Sequence, residues 1–207
     1  MANAAALERP HAAGGGRHVA DRPQMLAVGV MIWLGSEFMF FSGLFAAFFT
    51  IRAAAPHWPI GSPIDTFAAT RSFFFSIVLL SSSVTVQKGV WAQEKNQFRA
   101  AKVWIVASFV LGLAFVLNQA YEWWSLPFYP HTNAYTSLFF IMSGLHGLHV
   151  ILGLVAMLAL LGRLGGSKND PGETAVFQAV SYYWHFVDFM WIGLYSCLFL
   201  LSGAHIF

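Results

Sequence analysis

The sequence predicts an all-α fold: a polytopic membrane protein with five transmembrane helices in a bundle. Three observations carry that expectation. Of the 207 residues, 57% are hydrophobic and only 10% charged, whereas a soluble domain carries about a quarter charged residues. The apolar residues gather into five blocks, near 26–51, 67–91, 101–124, 135–162 and 176–201. Each block exceeds the roughly 20 residues that cross a hydrocarbon core about 30 Å thick. The blocks are also continuous. Runs such as FFFSIVLL (73–80) and VILGLVAMLALL (150–161) lack the alternation that membrane β-strands require, so helices remain as the way to satisfy every backbone polar group in lipid.

Taken in order, the chain opens with a polar, Ala/Gly-rich stretch, residues 1–24, which has no continuous apolar core and reads as a flexible tail rather than a signal peptide. The transmembrane domain then runs over 25–207. Turn-forming segments separate its helices: APHWPIGSP after the first, LPFYPHTN after the third and GGSKNDPGE after the fourth. The second connection, AQEKNQFRA, contains neither Pro nor Gly, so its flanking helices are expected to run on to the membrane surface. No loop is long enough for a soluble domain.

Orientation follows from the basic residues. Nine of the eleven Lys and Arg fall on one side, in the N-terminal tail and the loops after helices 2 and 4; only Arg52 and Arg71 fall on the other. The positive-inside rule places the N-terminus in the cytoplasm and the C-terminus outside. Trp91, Trp104, Tyr182 and Tyr183 then mark the inner boundary, and Trp58, Tyr121, Trp123 and Trp124 the outer one. The small-residue pairs Ser143/Gly147 and Gly43/Ala47 read as close helix contacts. Cys197, the only cysteine, reads as a packing residue that can form no intrachain disulfide.

Six ionisable residues lie inside the blocks: Glu37, Glu122, His146, His149, His185 and Asp188. Such residues are costly in lipid and usually face a bundle interior. At about 1.5 Å per residue, Glu37 sits on the order of 15 Å from the inner end of its helix. His146 and His149 sit at a comparable distance from the outer end of theirs, His185 and Asp188 at mid-depth, and Glu122 near the outer end. Both His146/His149 and His185/Asp188 are i, i+3 pairs on one helix face. Convergence at one depth is compatible with a carboxylate–histidine metal site or with a buried hydrogen-bond network. Spacing does not separate the two, although neither glutamate has the His three residues later that a di-iron helix uses. A small proton-coupled transporter would also place ionisable groups at the midplane, but the chain has no internal repeat and no matched Gly/Pro-broken helices.

Four segments carry a family resemblance: SEFMFFSGLFAAFF (36–49), QAYEW (119–123), SGLHGLHVILG (143–153) and SYYWHFVDFMWIGLY (181–195). Together they resemble subunit III of haem–copper oxidases, in its short five-helix bacterial form. Glu37 followed by FMFFSG resembles the cytochrome c oxidase branch more than the quinol oxidase branch, which is the alternative. The opening DRPQMLAVGVMIWLGSEFMFF (21–41) resembles the actinobacterial aa3-type form. The resemblance implies a non-redox accessory subunit in a bacterial plasma membrane, carrying no catalytic residue, cofactor or metal of its own. It implies haem a and copper in the partner subunits I and II, bound phospholipids, and association with a cytochrome bc complex in a supercomplex. The subunit's implied work in aerobic respiration is to stabilise subunit I and to support proton uptake and oxygen or lipid access while the complex passes electrons from cytochrome c to oxygen and pumps protons. Glu37 matches the family's buried, carbodiimide-reactive intramembrane acid, and is expected to be a neutral, hydrogen-bonded carboxyl. Glu122, His146, His149, His185 and Asp188 become a structural polar network by the same implication.

Overall fold

The computed structural model describes residues 25–55, 66–163 and 171–201. Among these residues the chain is entirely helical: α1 (Met25–Ala54), α2 (Thr66–Glu94), α3 (Phe98–Ser125), α4 (Ala134–Arg163) and α5 (Pro171–Tyr195), with a π-helical turn (Ser196–Leu200) continuing α5. The N-terminal tail, most of the first and fourth loops including Trp58, and the last six residues lie outside the described residues.

Local chemistry sets the boundaries. The turn between α2 and α3 is only three residues long, as the Pro- and Gly-free connection leads one to expect. Asn96 takes the left-handed conformation there (φ 59°), which asparagine tolerates better than most residues, and Gln97 N–H returns to Ala92 O at 2.8 Å. α3 stops ahead of Pro127, which disfavours a helical residue before it. α4 starts with a reciprocal cap: Asn133 Oδ1 accepts from Thr136 N–H at 2.8 Å, and Thr136 Oγ1 accepts from Asn133 N–H at 3.0 Å.

The helix neighbours define the architecture. α2 packs on α3, α3 on α4, α4 on α5, and α5 back on α2, which closes a four-helix ring; α1 lies outside it, along the seam of α4 and α5. The buried residues of α1 are Leu34, Phe41 and Phe48, each seven residues apart and therefore on one face. The rest of α1 is largely exposed.

Two tryptophans of α5, seven residues apart, fill the axis of the ring. Trp184 donates its indole N–H to Ser82 Oγ of α2 at 2.8 Å. Its ring lies so close to α3 and α4 that a Cβ on Gly112 or on Gly153 would come within 2.7 Å of it. Trp191 donates to Ser76 Oγ of α2 at 2.8 Å, stacks on His146 of α4 and meets Phe115 of α3 edge-on. Each indole thus touches all three other helices of the ring.

One expectation is met in part and another needs correction. Four helices, α1 to α4, are long and apolar enough to cross a membrane. α5 has the length but not the same apolarity, because it carries Glu173, Gln178, His185 and Asp188 and spends its apolar side chains on the ring interior. The glycine contacts differ: Gly43 and Gly147 have open space where a Cβ would stand, so neither marks a close helix contact among the described residues. The tight positions are Gly112 and Gly153, which sequence spacing did not single out.

Candidate functional site

The six ionisable residues do not meet at one place. They separate into two acid–imidazole couples, one acid–hydroxyl pair and one isolated imidazole, each held by a different pair of helices.

The first couple joins α1 to α4. Glu37 Oε2 and His149 Nε2 are 3.1 Å apart, and Trp33 N–H donates to Glu37 Oε1 at 3.1 Å from one turn earlier in α1. His149 Nδ1 faces Leu145 O at 2.7 Å. A carbonyl only accepts, so Nδ1 carries a hydrogen, and in the neutral ring Nε2 is then an acceptor. One proton must therefore lie between Nε2 and Oε2. It sits on the carboxyl, giving a neutral pair, or on the ring, giving an ion pair; the couple has no net charge in either form. α5 braces it: Tyr183 O–H donates to His149 O at 2.9 Å, and the Tyr183 ring stacks on Trp33 at 5.2 Å. Phe41 closes the other side of the imidazole, edge to face at 5.1 Å. Glu37 is not enclosed, as a buried acid would be. Its side chain keeps 23% of its area exposed, because α1 is the outermost helix.

The second couple joins α2 to α5 through a hydroxyl. Ser83 Oγ–H donates to Asp188 Oδ2, and Ser83 Oγ lies 2.9 Å from His185 Nδ1. His185 Nε2 faces Gln87 Oε1 at 3.2 Å, so Nε2 carries a hydrogen. With Ser83 donating to Asp188, His185 Nδ1 must also donate, which pairs an imidazolium with a carboxylate. If the proton shifts along the chain, Asp188 donates to Ser83 and Ser83 to a neutral ring. The two forms differ by the placement of one proton on either side of the serine, and the couple again carries no net charge. The grouping has Ser, His and Asp without the order of a hydrolytic triad: the hydroxyl stands between the other two and is committed to both.

Glu122 is elsewhere, near the C-terminal end of α3, buried, and accepts from Ser72 O–H of α2 at 2.5 Å. Arg71, adjacent to that serine, lies over the ring of Tyr121, the neighbour of Glu122, at 4.6 Å. His146 belongs to no network. It is buried, neither ring nitrogen has a hydrogen-bond partner among the described residues, and its ring stacks on Trp191 at 4.8 Å. Although His146 and His149 lie on one broad face of α4, three residues leave them about 60° apart around the axis. That offset turns His146 into the ring interior and His149 toward α1.

The residues missed from sequence are the hydroxyls of α2. Ser72, Ser76, Ser82 and Ser83 serve Glu122, Trp191, Trp184 and the His185–Asp188 couple respectively, and Thr85 meets Ser108 of α3 at 2.6 Å. The only visible signal was the unusual serine content of SFFFSIVLLSSSVT (72–85). No group of three or more His, Cys, Asp or Glu among the described residues is placed to hold a metal ion. An apolar cavity of about 280 Å³ opens between α3 and α4, beside Trp123, Gly144 and Gly147.

Fold and site together define a class: a helical membrane protein whose intramembrane acids are matched by bases or hydroxyls on neighbouring helices. The comparison with known proteins is specific about which. The family described as cytochrome c oxidase subunit III matches residues 10–203. The chain is 42% identical to the probable cytochrome c oxidase subunit 3 of Mycobacterium tuberculosis, over 89% of this chain and 92% of that protein. It is 41% identical to the Mycobacterium leprae protein of the same description, with the same coverage, and 38% identical to cytochrome c oxidase subunit 3 of Corynebacterium diphtheriae, over 88% of this chain and 91% of that one. The chain belongs to the cytochrome c oxidase subunit III family.

Proposed function

We propose that the chain is the non-redox accessory subunit of an aa3-type cytochrome c oxidase in a bacterial plasma membrane. In this reading all five helices span the bilayer, with the N-terminus cytoplasmic and the C-terminus outside. The chain associates with subunits I and II, which hold haem a and copper, and with phospholipids. It supports electron transfer from cytochrome c to oxygen, and the coupled pumping, by stabilising its neighbours rather than by chemistry of its own.

The observation that carries the reading is the fate of the polar residues. Glu37, His149, His185 and Asp188 are each bonded to a side chain of another helix, an arrangement that holds helices together in hydrocarbon. The actinobacterial relatives, similar over nine-tenths of their length, support the cytochrome c oxidase branch over the quinol oxidase one.

Purification of the tagged chain in mild detergent, followed by a visible spectrum, tests it. Co-purifying haem a and copper is expected; a colourless single polypeptide overturns it. Glu37→Gln tests the structural role: pumping and turnover should persist in the assembled oxidase, and loss of pumping with assembly intact would make Glu37 a proton carrier.

A further inference from the structure

α5 carries polar residues where a bilayer tolerates them least. α1 to α4 are long and apolar enough to cross a membrane, and α5 falls short of them. His185 and Asp188 lie near the middle of α5 and its π-helical turn, flanked by the indoles of Trp184 and Trp191. An aspartate at the centre of a span is among the costliest residues to place in hydrocarbon. A histidine or an indole N–H there needs a hydrogen-bond partner as well.

All four of these polar groups find side-chain partners on one helix, α2. Trp184 N–H goes to Ser82 Oγ and Trp191 N–H to Ser76 Oγ, both at 2.8 Å. Ser83 bonds to Asp188 and lies 2.9 Å from His185 Nδ1, while Gln87 Oε1 lies 3.2 Å from His185 Nε2. Trp184, Asp188 and Trp191 are buried in the ring. A lone α5 would present the same groups to acyl chains, which offer no hydrogen bond. The order of the chain suits a dependence of α5 on α2. α2 is synthesised first, so its hydroxyls are in the membrane before α5 leaves the ribosome.

We infer that α5 enters the bilayer only by docking on α2, with Ser76, Ser82, Ser83 and Gln87 as the surface that takes it in. The fifth span is thus conditional on the second. This rests on the reading above that all five helices span, and adds the order and the chemistry by which the last one does so.

Topology reporters on the full chain test it. Parallel fusions place alkaline phosphatase, active only outside the membrane, or a green fluorescent protein, fluorescent only inside, after Phe207. From a cytoplasmic N-terminus, five spans put the reporter outside and four leave it inside. With signals normalised to the amount of fusion, the parent should give phosphatase activity and no fluorescence. Ser82→Ala, Ser83→Ala and Gln87→Leu, combined, make α2 more apolar, so α2 itself still inserts, but they remove the partners of Trp184, His185 and Asp188. This variant should lose most of the phosphatase activity and gain fluorescence. Adding His185→Leu and Asp188→Leu makes α5 apolar and should return the reporter to the outside. Unchanged phosphatase activity in the α2 variant, or no recovery on adding the two leucines, overturns the inference. Fluorescence from the parent fusion overturns the five-span reading instead, and reading the parent first tells the two failures apart.

Discussion

Glu37 and His149 share a single proton across the boundary between α1 and the four-helix ring, with 3.1 Å between Oε2 and Nε2. The partner of His149 at its other nitrogen, Leu145 O, fixes which nitrogen faces Glu37. The pairing makes a prediction that separates charge from geometry. In Glu37→Gln the amide carbonyl still accepts from Trp33, and the amide N–H donates to His149 Nε2, so the tie between α1 and α4 survives. In His149→Leu the carboxyl is left without its cross-helix partner. Intramembrane hydrogen bonds of this kind contribute about 1–2 kcal/mol, so His149→Leu should lower the thermal midpoint of the detergent-solubilised complex while Glu37→Gln leaves it nearly unchanged. Equal losses from the two would mean that the charge, not the hydrogen bond, holds α1.

The glycines around Trp184 predict a steric hierarchy. Gly112→Ala and Gly153→Ala each put a Cβ within 2.7 Å of the indole, whereas Gly147→Ala meets nothing within 4 Å. Overpacking of a filled interior costs typically about 1–3 kcal/mol. The first two should therefore reduce the yield of folded chain and its melting temperature, and Gly147→Ala should behave as the parent. Trp184→Phe removes the crowding ring of the indole and should recover part of the loss in Gly153→Ala. If the double variant is no better than the sum of its parts, the crowding seen here is not the cause.

These two sites differ in how far they could be read from the sequence. Glu37 and His149 stood out because ionisable residues are rare in apolar runs, and helix limits followed from the same runs: α2 and α3 end within a few residues of the expected places. Which helices touch was not legible, because hydropathy reports burial from water and not neighbours. Spacing therefore points to Gly43 and Gly147 as contact points, whereas the tight positions are Gly112 and Gly153, whose partner Trp184 is on α5. The α2 serines were hidden for a related reason. A serine in a membrane helix can satisfy itself on its own backbone, as Ser76 and Ser82 do on Ser72 O and Leu79 O. Only their position beside the indoles reveals that their oxygens also accept. Spacing groups His146 with His149, but an offset of about 60° is enough to face one toward Trp191 of α5 and the other toward Glu37 of α1.

Among the described residues, Ser72 supplies the one side-chain hydrogen bond to the buried carboxyl of Glu122. Ser72→Ala strands that acid, and an unsatisfied buried polar group costs about 1–3 kcal/mol. Replacing both partners, as Ser72→Ala with Glu122→Leu, removes the need along with the donor. The double variant should therefore melt above Ser72→Ala alone. A double variant that melts lower than either single one would show that Glu122 contributes through another contact, of which Arg71, one residue from Ser72, is the first to examine.

The π-helical turn at Ser196–Leu200 makes a local prediction. A π turn shifts the backbone hydrogen-bond register and leaves carbonyls to be met from outside the helix. Leu198 O is met by Tyr135 O–H of α4 at 2.9 Å, while Leu201 N–H closes on Ser196 O at 2.9 Å. Tyr195 stacks on Phe199, one turn on, at 4.8 Å, and Phe199 meets Phe139 of α4 edge-on at 6.0 Å, so the turn is anchored by ring contacts as well as by the Tyr135 hydroxyl. Tyr135→Phe keeps the buried ring and removes only that hydroxyl. Its cost should be close to one neutral hydrogen bond, about 1 kcal/mol, felt at the end of α5 and not in the ring axis. Hydrogen exchange should quicken for the amides of residues 198–201 and stay unchanged around Trp184 and Trp191. Faster exchange throughout α5 would mean that the hydroxyl supports the whole helix, and unchanged exchange at 198–201 would mean that the π turn holds without it.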